Sequence, residues 1–260
     1  MPVVTLFTKV YNDFQLTLVD RLLRSTLKGL NVNIKVIGVN SHKWVQASID
    51  GEDEKVALHF LADEIGLCPE SLENIKKFSD IRGRIINIDK NSSKLCLDVG
   101  FSQPKTFNVF IPLQHLQAQL VDGRKVELKE IFELYGFHDN LPLGIKVSYV
   151  DVEHKRIEAL LSEEQLNRFE EWIESLLDRL IVLGASVEET ETAVKMARFE
   201  RDVIDIEPLG LFEQAIVCKL GTDAKGLIPK IGRNLRNAVF VVFNPKRVLE
   251  FLDYSSAFIF

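Results

Sequence analysis

Long apolar runs are missing from this 260-residue chain. A charge interrupts every hydrophobic stretch after a few positions, which excludes a helix that crosses a bilayer. The amino terminus also lacks the charged-then-apolar pattern of a signal peptide, so the sequence predicts a cytoplasmic protein with no membrane partner. Cysteine is scarce. Cys68, Cys96 and Cys218 stand at no metal-ligand spacing, and an odd count without a signal peptide argues against a disulfide framework. All three read as small buried hydrophobes. The five histidines are scattered, with no pair at helical spacing, so no metal site is expected. Nucleophile elbows, zinc-hydrolase helices and dinucleotide fingerprints are absent, so no cofactor is expected and catalysis ranks behind binding.

What is present is a chain with 46% apolar residues, enough for a sizeable core divided among two or three small domains. The net charge of −6 conceals a split. Residues 162–213 hold fourteen acidic against five basic side chains, whereas residues 214–260 hold seven basic against three acidic. A basic carboxyl-terminal unit therefore follows an acidic one.

Taken in order, residues 3–9 read as a strand. Asp13 can cap the helix that follows, in which Leu16, Val19, Leu22, Leu23 and Leu27 fall on one stripe, with Gly29 as its stop. Two strands at 32–39 and 43–50 meet through residues 40–42, and a helix over 52–65 carries Val56, Leu58, Phe60, Leu61 and Ile65. This β-α-β-β-α unit spans residues 1–78. Residues 79–161 contain short β-runs at 81–89, 94–100, 107–113, 144–151 and 156–161, arranged as a five-stranded barrel. A helical insertion divided at Asp122-Gly123 follows the third run. Residues 162–200 read as a helical hairpin. Its first helix is capped at Ser162 and carries a stripe from Leu166 through Phe169, Trp172, Leu176, Leu177, Leu180 and Ile181 to a stop at Gly184. Residues 201–260 order as β-β-α-β-α. The fold class is therefore α+β and multidomain.

Four stretches of the barrel carry a family resemblance: Gly83-Arg84-Ile85, Leu97-Asp98-Val99-Gly100, Val109-Phe110-Ile111-Pro112-Leu113, and the closing pair from Lys146-Val147 to Leu161. They resemble the OB-fold domains of the largest protein of the small ribosomal subunit and of an archaeal initiation-factor alpha subunit. The whole chain resembles an archaeal domain-of-unknown-function family through its run Cys218 to Pro229. The barrel resemblance implies single-stranded RNA binding on the exposed faces of strands two and three.

The residues fit that implication in part. Arg82, Arg84, Lys94, Lys105 and Lys146 could meet phosphates, and Phe101 and Phe110 could stack on bases, but strand two presents Lys94, Cys96 and Asp98 without an aromatic. Trp44, near Lys35 and Lys43 on the more polar strand face, suits base stacking or the underside of a helix. The loop Lys219 to Lys230, with Gly221 and Gly226 before a helix start, reads either as an anion-receiving turn or as a tight connection capped by Thr222 or Asp223. Lys219, Thr222, Lys225, Lys230, Arg233 and Arg236 are its candidate RNA contacts. His59 reads as structural, His138-Asp139-Asn140 as a turn, and the paired glutamates 163–164 and 188–189 as helix amino-terminal charges. The leading expectation is a non-catalytic RNA-binding protein of archaeal translation or RNA metabolism, acting on ribosomal, transfer or messenger RNA. The alternative is a protein–protein adaptor that docks a partner on the acidic hairpin.

Overall fold

A computed structural model describes residues 3–71, 75–87, 92–101, 108–154 and 156–252. The first unit is a three-stranded antiparallel sheet in the order β1 (Val3–Lys9), β3 (Trp44–Gly51), β2 (Val32–Val39). Two helices, α1 (Asp13–Thr26) and α2 (Glu54–Glu64), bury Val19, Leu23, Ala57 and Leu61 against Val4, Leu6, Val45, Ala47 and Ile49. Asn12, not Asp13, caps α1 by accepting from the Gln15 backbone N–H, and the helix ends at Thr26, ahead of Gly29. Val56, His59 and Phe60 do not join the core. The buried stripe is Ala57, Leu61 and Ile65 with Leu58 beside it, and Val56, His59 and Phe60 point to solvent.

The barrel closes in the order β4 (Asp80–Ile85), β5 (Lys94–Asp98), β6 (Asn108–Pro112), β8 (Arg156–Leu161), β7 (Pro142–Asp151). Numbered within the barrel this order is 1-2-3-5-4, with β6 and β8 as its one parallel pair. That is the OB-type arrangement. Helices α3 (Leu113–Leu120) and α4 (Leu128–Tyr135) fill the gap between the third and fourth strands. Gly83 faces the barrel interior, where a Cβ would lie 3.3 Å from both Leu97 and Val99.

The carboxyl-terminal unit departs from the sequence expectation. The helix begun at Ser162 is α5 (Glu163–Glu174), and it stops ten residues before Gly184. Leu176 takes a left-handed conformation (φ 55°), and the buried Arg179 guanidinium donates to the carbonyls of Trp172 and Leu177. A side chain thus satisfies the orphan carbonyls that a glycine cap would normally address. Arg179–Leu183 is then a strand, β9, so the expected helical hairpin is absent. The sheet runs β10 (Val203–Gly210), β11 (Glu213–Cys218), β9, β12 (Val239–Phe243), flanked by α6 (Val187–Ala197), α7 (Ala224–Asn234) and α8 (Pro245–Phe251).

Every residue of β9 is buried. Leu180 and Val182 pack with residues of α6 and α7, whereas Ile181 and Leu183 join the same core as the barrel interior, α4 and α5. A strand covered on both faces carries no polar alternation, and so its Leu-Ile-Val-Leu run also fits a helical stripe. Phe169 and Trp172 lie in this shared core, edge-on to each other with ring centroids 6.0 Å apart. Among the described residues no helix is long and apolar enough to cross a membrane.

Candidate nucleic-acid interface

Strand alternation puts Phe7, Lys9 and Trp44 on the sheet face opposite α1 and α2, and it puts Arg82, Arg84 and Asp98 on the outside of the barrel. The two surfaces meet. Trp44 is fully buried there, which corrects the expectation of an aromatic open to a base. Its indole N–H donates to Asp98 at 2.8 Å, the Lys9 ammonium reaches the same carboxylate oxygen at 2.7 Å, and His42 Nδ1 lies 3.3 Å from it. Burial alone would raise the Asp98 pKa. The Lys9 charge, with N–H donors from Gly100 and Trp44, outweighs burial and holds the carboxyl below its ordinary value. The chain comes closest at Gly100 (φ +82°), where a Cβ would overlap Cys68 Sγ. Burial, aided by the nearby Asp98 charge, pushes the Cys68 thiol pKa far up.

Arg84 is also fully buried and is unavailable to a phosphate, a second correction. Its guanidinium pairs with the buried Glu213 of β11, which accepts from Arg84 at 2.8 Å and from the Tyr11 hydroxyl at 2.8 Å. Tyr11, Arg84 and Glu213 come from the three units, so this triad ties them at one point. Burial first, and the Glu213 charge second, push the Tyr11 hydroxyl pKa far up. Arg82 keeps an exposed position. It lies 4.5 Å above the Phe7 ring and donates to the Leu209 carbonyl at 3.1 Å.

On the strand-two and strand-three face, Phe110 is only 4% exposed, roofed by Lys94 at 4.9 Å and Arg156 at 4.7 Å from its ring centre. The one outward aromatic of strand three is therefore covered by cations, and Lys94 is committed to that cover. Cys96 is half-buried, unlike the buried Cys68 and Cys218. Phe101 packs against the barrel core, and Lys146 pairs with Glu163 at 3.0 Å. Lys105 and Phe107 lie outside the described residues.

The carboxyl-terminal loop also differs from an anion cradle. Asp223 caps α7 by accepting from the Lys225 N–H, and Asp178 takes the Ala224 N–H at 3.4 Å. Carboxylates thus occupy the amino-terminal donors that a phosphate would use. Thr222 is half-buried and donates its backbone N–H to the Lys219 carbonyl. The cations themselves are available. Lys219, Lys225, Lys230, Arg233, Arg236, Lys246 and Arg247 are all exposed, and among the described residues none is within ion-pair distance of a carboxylate. On α7, Lys225, Lys230 and Arg233 fall opposite the buried Ala224, Leu227 and Ile231. Lys230 lies over the Phe199 ring at 5.0 Å.

Sequence reasoning missed the roles of Lys9, Tyr11, Arg156, Arg168, Asp178 and Glu213. The one signal available was the acid Glu213, followed by Gln214, at the head of the apolar run of β11, since a buried strand tolerates a charge only with a partner.

The fold and its surface define an OB-type barrel wedged between two α+β units, with its usual ligand face largely consumed by internal contacts. The chain belongs to the DUF2110 family: residues 3–71 match the DUF2110 N-terminal domain, residues 76–173 the central domain and residues 177–243 the C-terminal domain. No curated protein matches it. Among solved structures it is similar to the a/eIF2alpha-aDim2p-rRNA complex from Pyrococcus horikoshii OT3, at 9% identity and a TM-score of 0.26, over 48% of this chain and 60% of that one. It is similar also to the intact alpha subunit of aIF2 from Pyrococcus abyssi, at 12% identity and a TM-score of 0.27, over 66% of this chain and 98% of that one. Likenesses this weak carry no functional argument.

Proposed function

We infer that the protein is a non-catalytic RNA-binding protein of translation or RNA metabolism, and that its RNA contact is the exposed cation set between Lys219 and Arg247. The observation that supports this is the set of seven exposed cations without carboxylate partners on a chain whose net charge is −6. Other surface cations are paired in part, as in Arg24 with Asp20, Arg156 with Glu158 and Lys195 with Glu191, while Lys28, Lys35, Lys55 and Arg198 are exposed and without an ion pair among the described residues. What sets residues 219–250 apart is that they hold seven cations against two acids, Asp223 and Glu250. A concentration of unpaired cations favours a polyanion through counterion release, and such binding weakens steeply with salt. The barrel serves in this reading mainly as the body that holds the basic unit.

Fluorescence anisotropy with a labelled single-stranded RNA tests it. If about four phosphates are neutralised, log K falls with log salt at a slope near −3. Lys225→Glu combined with Arg233→Glu should weaken binding at least tenfold at low salt. Absence of binding at low salt, or binding that ignores this double substitution, overturns the reading.

The covered strand-two and strand-three face favours a second reading, a protein adaptor whose barrel no longer meets nucleic acid. Its docking surface would be the acidic outer face of α5, where Glu170, Glu171 and Glu174 are exposed. A partner retained after ribonuclease treatment and lost on Glu170→Lys with Glu174→Lys would favour it.

A further inference from the structure

A cleft of about 270 Å³ opens where β4, β7, α5 and β10 meet, with Arg82 on one wall and Arg168 on another. Its volume falls short of the roughly 300–1,000 Å³ typical of sites for drug-sized ligands, which limits an occupant to a small group. We propose that the cleft between Arg82 and Arg168 binds a phosphate dianion, free or at the end of a nucleic acid, held by the two guanidiniums.

Three features carry the assignment. Arg82 has one hydrogen bond, to Leu209, and its ring contact with Phe7, neither of which cancels its charge. Arg168 touches Glu164 at 3.4 Å, well beyond the roughly 2.7–2.9 Å of a strong charge-assisted bond, and the Glu164 side chain is 86% exposed. The nearest buried carboxylate, Glu213, is already spent on Arg84 and Tyr11. Two guanidiniums thus face one cleft whose only charged acid wall is Glu164, held by Arg168 in a long ion pair and by Arg82 in none among the described residues.

The frame around them is rigid. The Gln165 side chain accepts from the Gly144 N–H at 3.1 Å, and the Ser162 N–H donates to the Gly144 carbonyl at 3.0 Å, which stitches the start of α5 to β7. A Cβ at Gly144 would sit 2.6 Å from Ser162 Oγ, so glycine permits that approach. Arg168, one turn into α5, is held at the cleft rim as a result. A second cleft of about 400 Å³ on the other side of Arg82 has Glu64 as its only further charged wall, whereas the first sets two guanidiniums against the single carboxylate Glu164, so the anion belongs to the first. Guanidinium forks match phosphate oxygens bidentately, and phosphate carries close to two negative charges near neutrality.

Isothermal titration of the full chain with inorganic phosphate tests this independently of the α7 surface. The expected result is one site per chain, weakened about tenfold by Arg168→Gln and tightened by Glu164→Gln. The Lys225→Glu and Arg233→Glu double variant should bind phosphate as the wild type does, so failure of the RNA reading leaves this result standing. A 5′-phosphorylated oligonucleotide that competes with inorganic phosphate, where its 5′-hydroxyl counterpart does not, would identify the source as a nucleic-acid end. Competition by neither would identify a free phosphate. Absence of phosphate binding, or equal binding by Arg168→Gln and wild type, overturns the proposal. Should Arg168→Gln fail to fold, an unchanged affinity in Glu164→Gln overturns it as well.

Discussion

Arg84 and Glu213 show what a buried charge demands. An arginine cannot shed its proton, so removing its partner leaves a full charge in a site with no water. Glu213→Gln should therefore cost about 3–5 kcal/mol, read as a lowered midpoint in urea unfolding. Asp98 makes a pH-dependent contribution. Its folded pKa lies below the unfolded value, so its stabilisation is complete above about pH 4 and is lost as pH falls through the folded value. Urea midpoints measured at pH 7 and pH 3 should converge between wild type and Asp98→Asn, with the variant less stable at pH 7. Both residues belong to stretches whose pattern was legible. The sequence marked Arg84 as outward and Asp98 as off the core face, and both are. It could not show that another unit covers that outside, because alternation reports which face a residue occupies and not what lies against the face.

At the scale of the element, the five barrel strands were readable from short alternating runs, and α3 and α4 from their leucine spacing. The error at β9 has a physical source. Its Leu180-Ile181-Val182-Leu183 run follows Leu176 and Leu177 at helical spacing, and the stop signal is Arg179 reaching back to carbonyls, which has no motif. Leu176 itself takes a positive φ that costs a side-chain-bearing residue about 1–2 kcal/mol, and it is 41% exposed. Leu176→Gly should be neutral or stabilising by up to about 1 kcal/mol in thermal unfolding, the reverse of glycine inside a helix. At Gly100, by contrast, the close approach of Cys68 makes Gly100→Val strongly destabilising, with separation of the first unit from the barrel visible as increased proteolysis at residues 67–77.

At the scale of the whole molecule, the three units share polar anchors, and the barrel and carboxyl-terminal unit share one apolar core that runs from the barrel interior into one face of the β9 sheet, while the first unit keeps its own. Trp44 lies at the first junction and Trp172 in the shared core, bonded to Asp98 and Glu207 respectively. Single-tryptophan variants Trp44→Phe and Trp172→Phe should therefore give coincident unfolding midpoints, and clearly separated transitions would show that the units unfold independently. The sequence by itself determined the number and kind of most elements, the barrel, the acid–base split of the charge and the absence of any catalytic motif, since these depend on local periodicity and composition. Tertiary structure alone decided which charges reach solvent. Trp44, Arg84 and Phe110 look like ligand contacts until another element covers them, whereas Arg82 and Arg168, 86 positions apart, become neighbours only when β4 and α5 close on one cleft. Burial and proximity between distant segments are properties of the packed chain, and no local pattern encodes them.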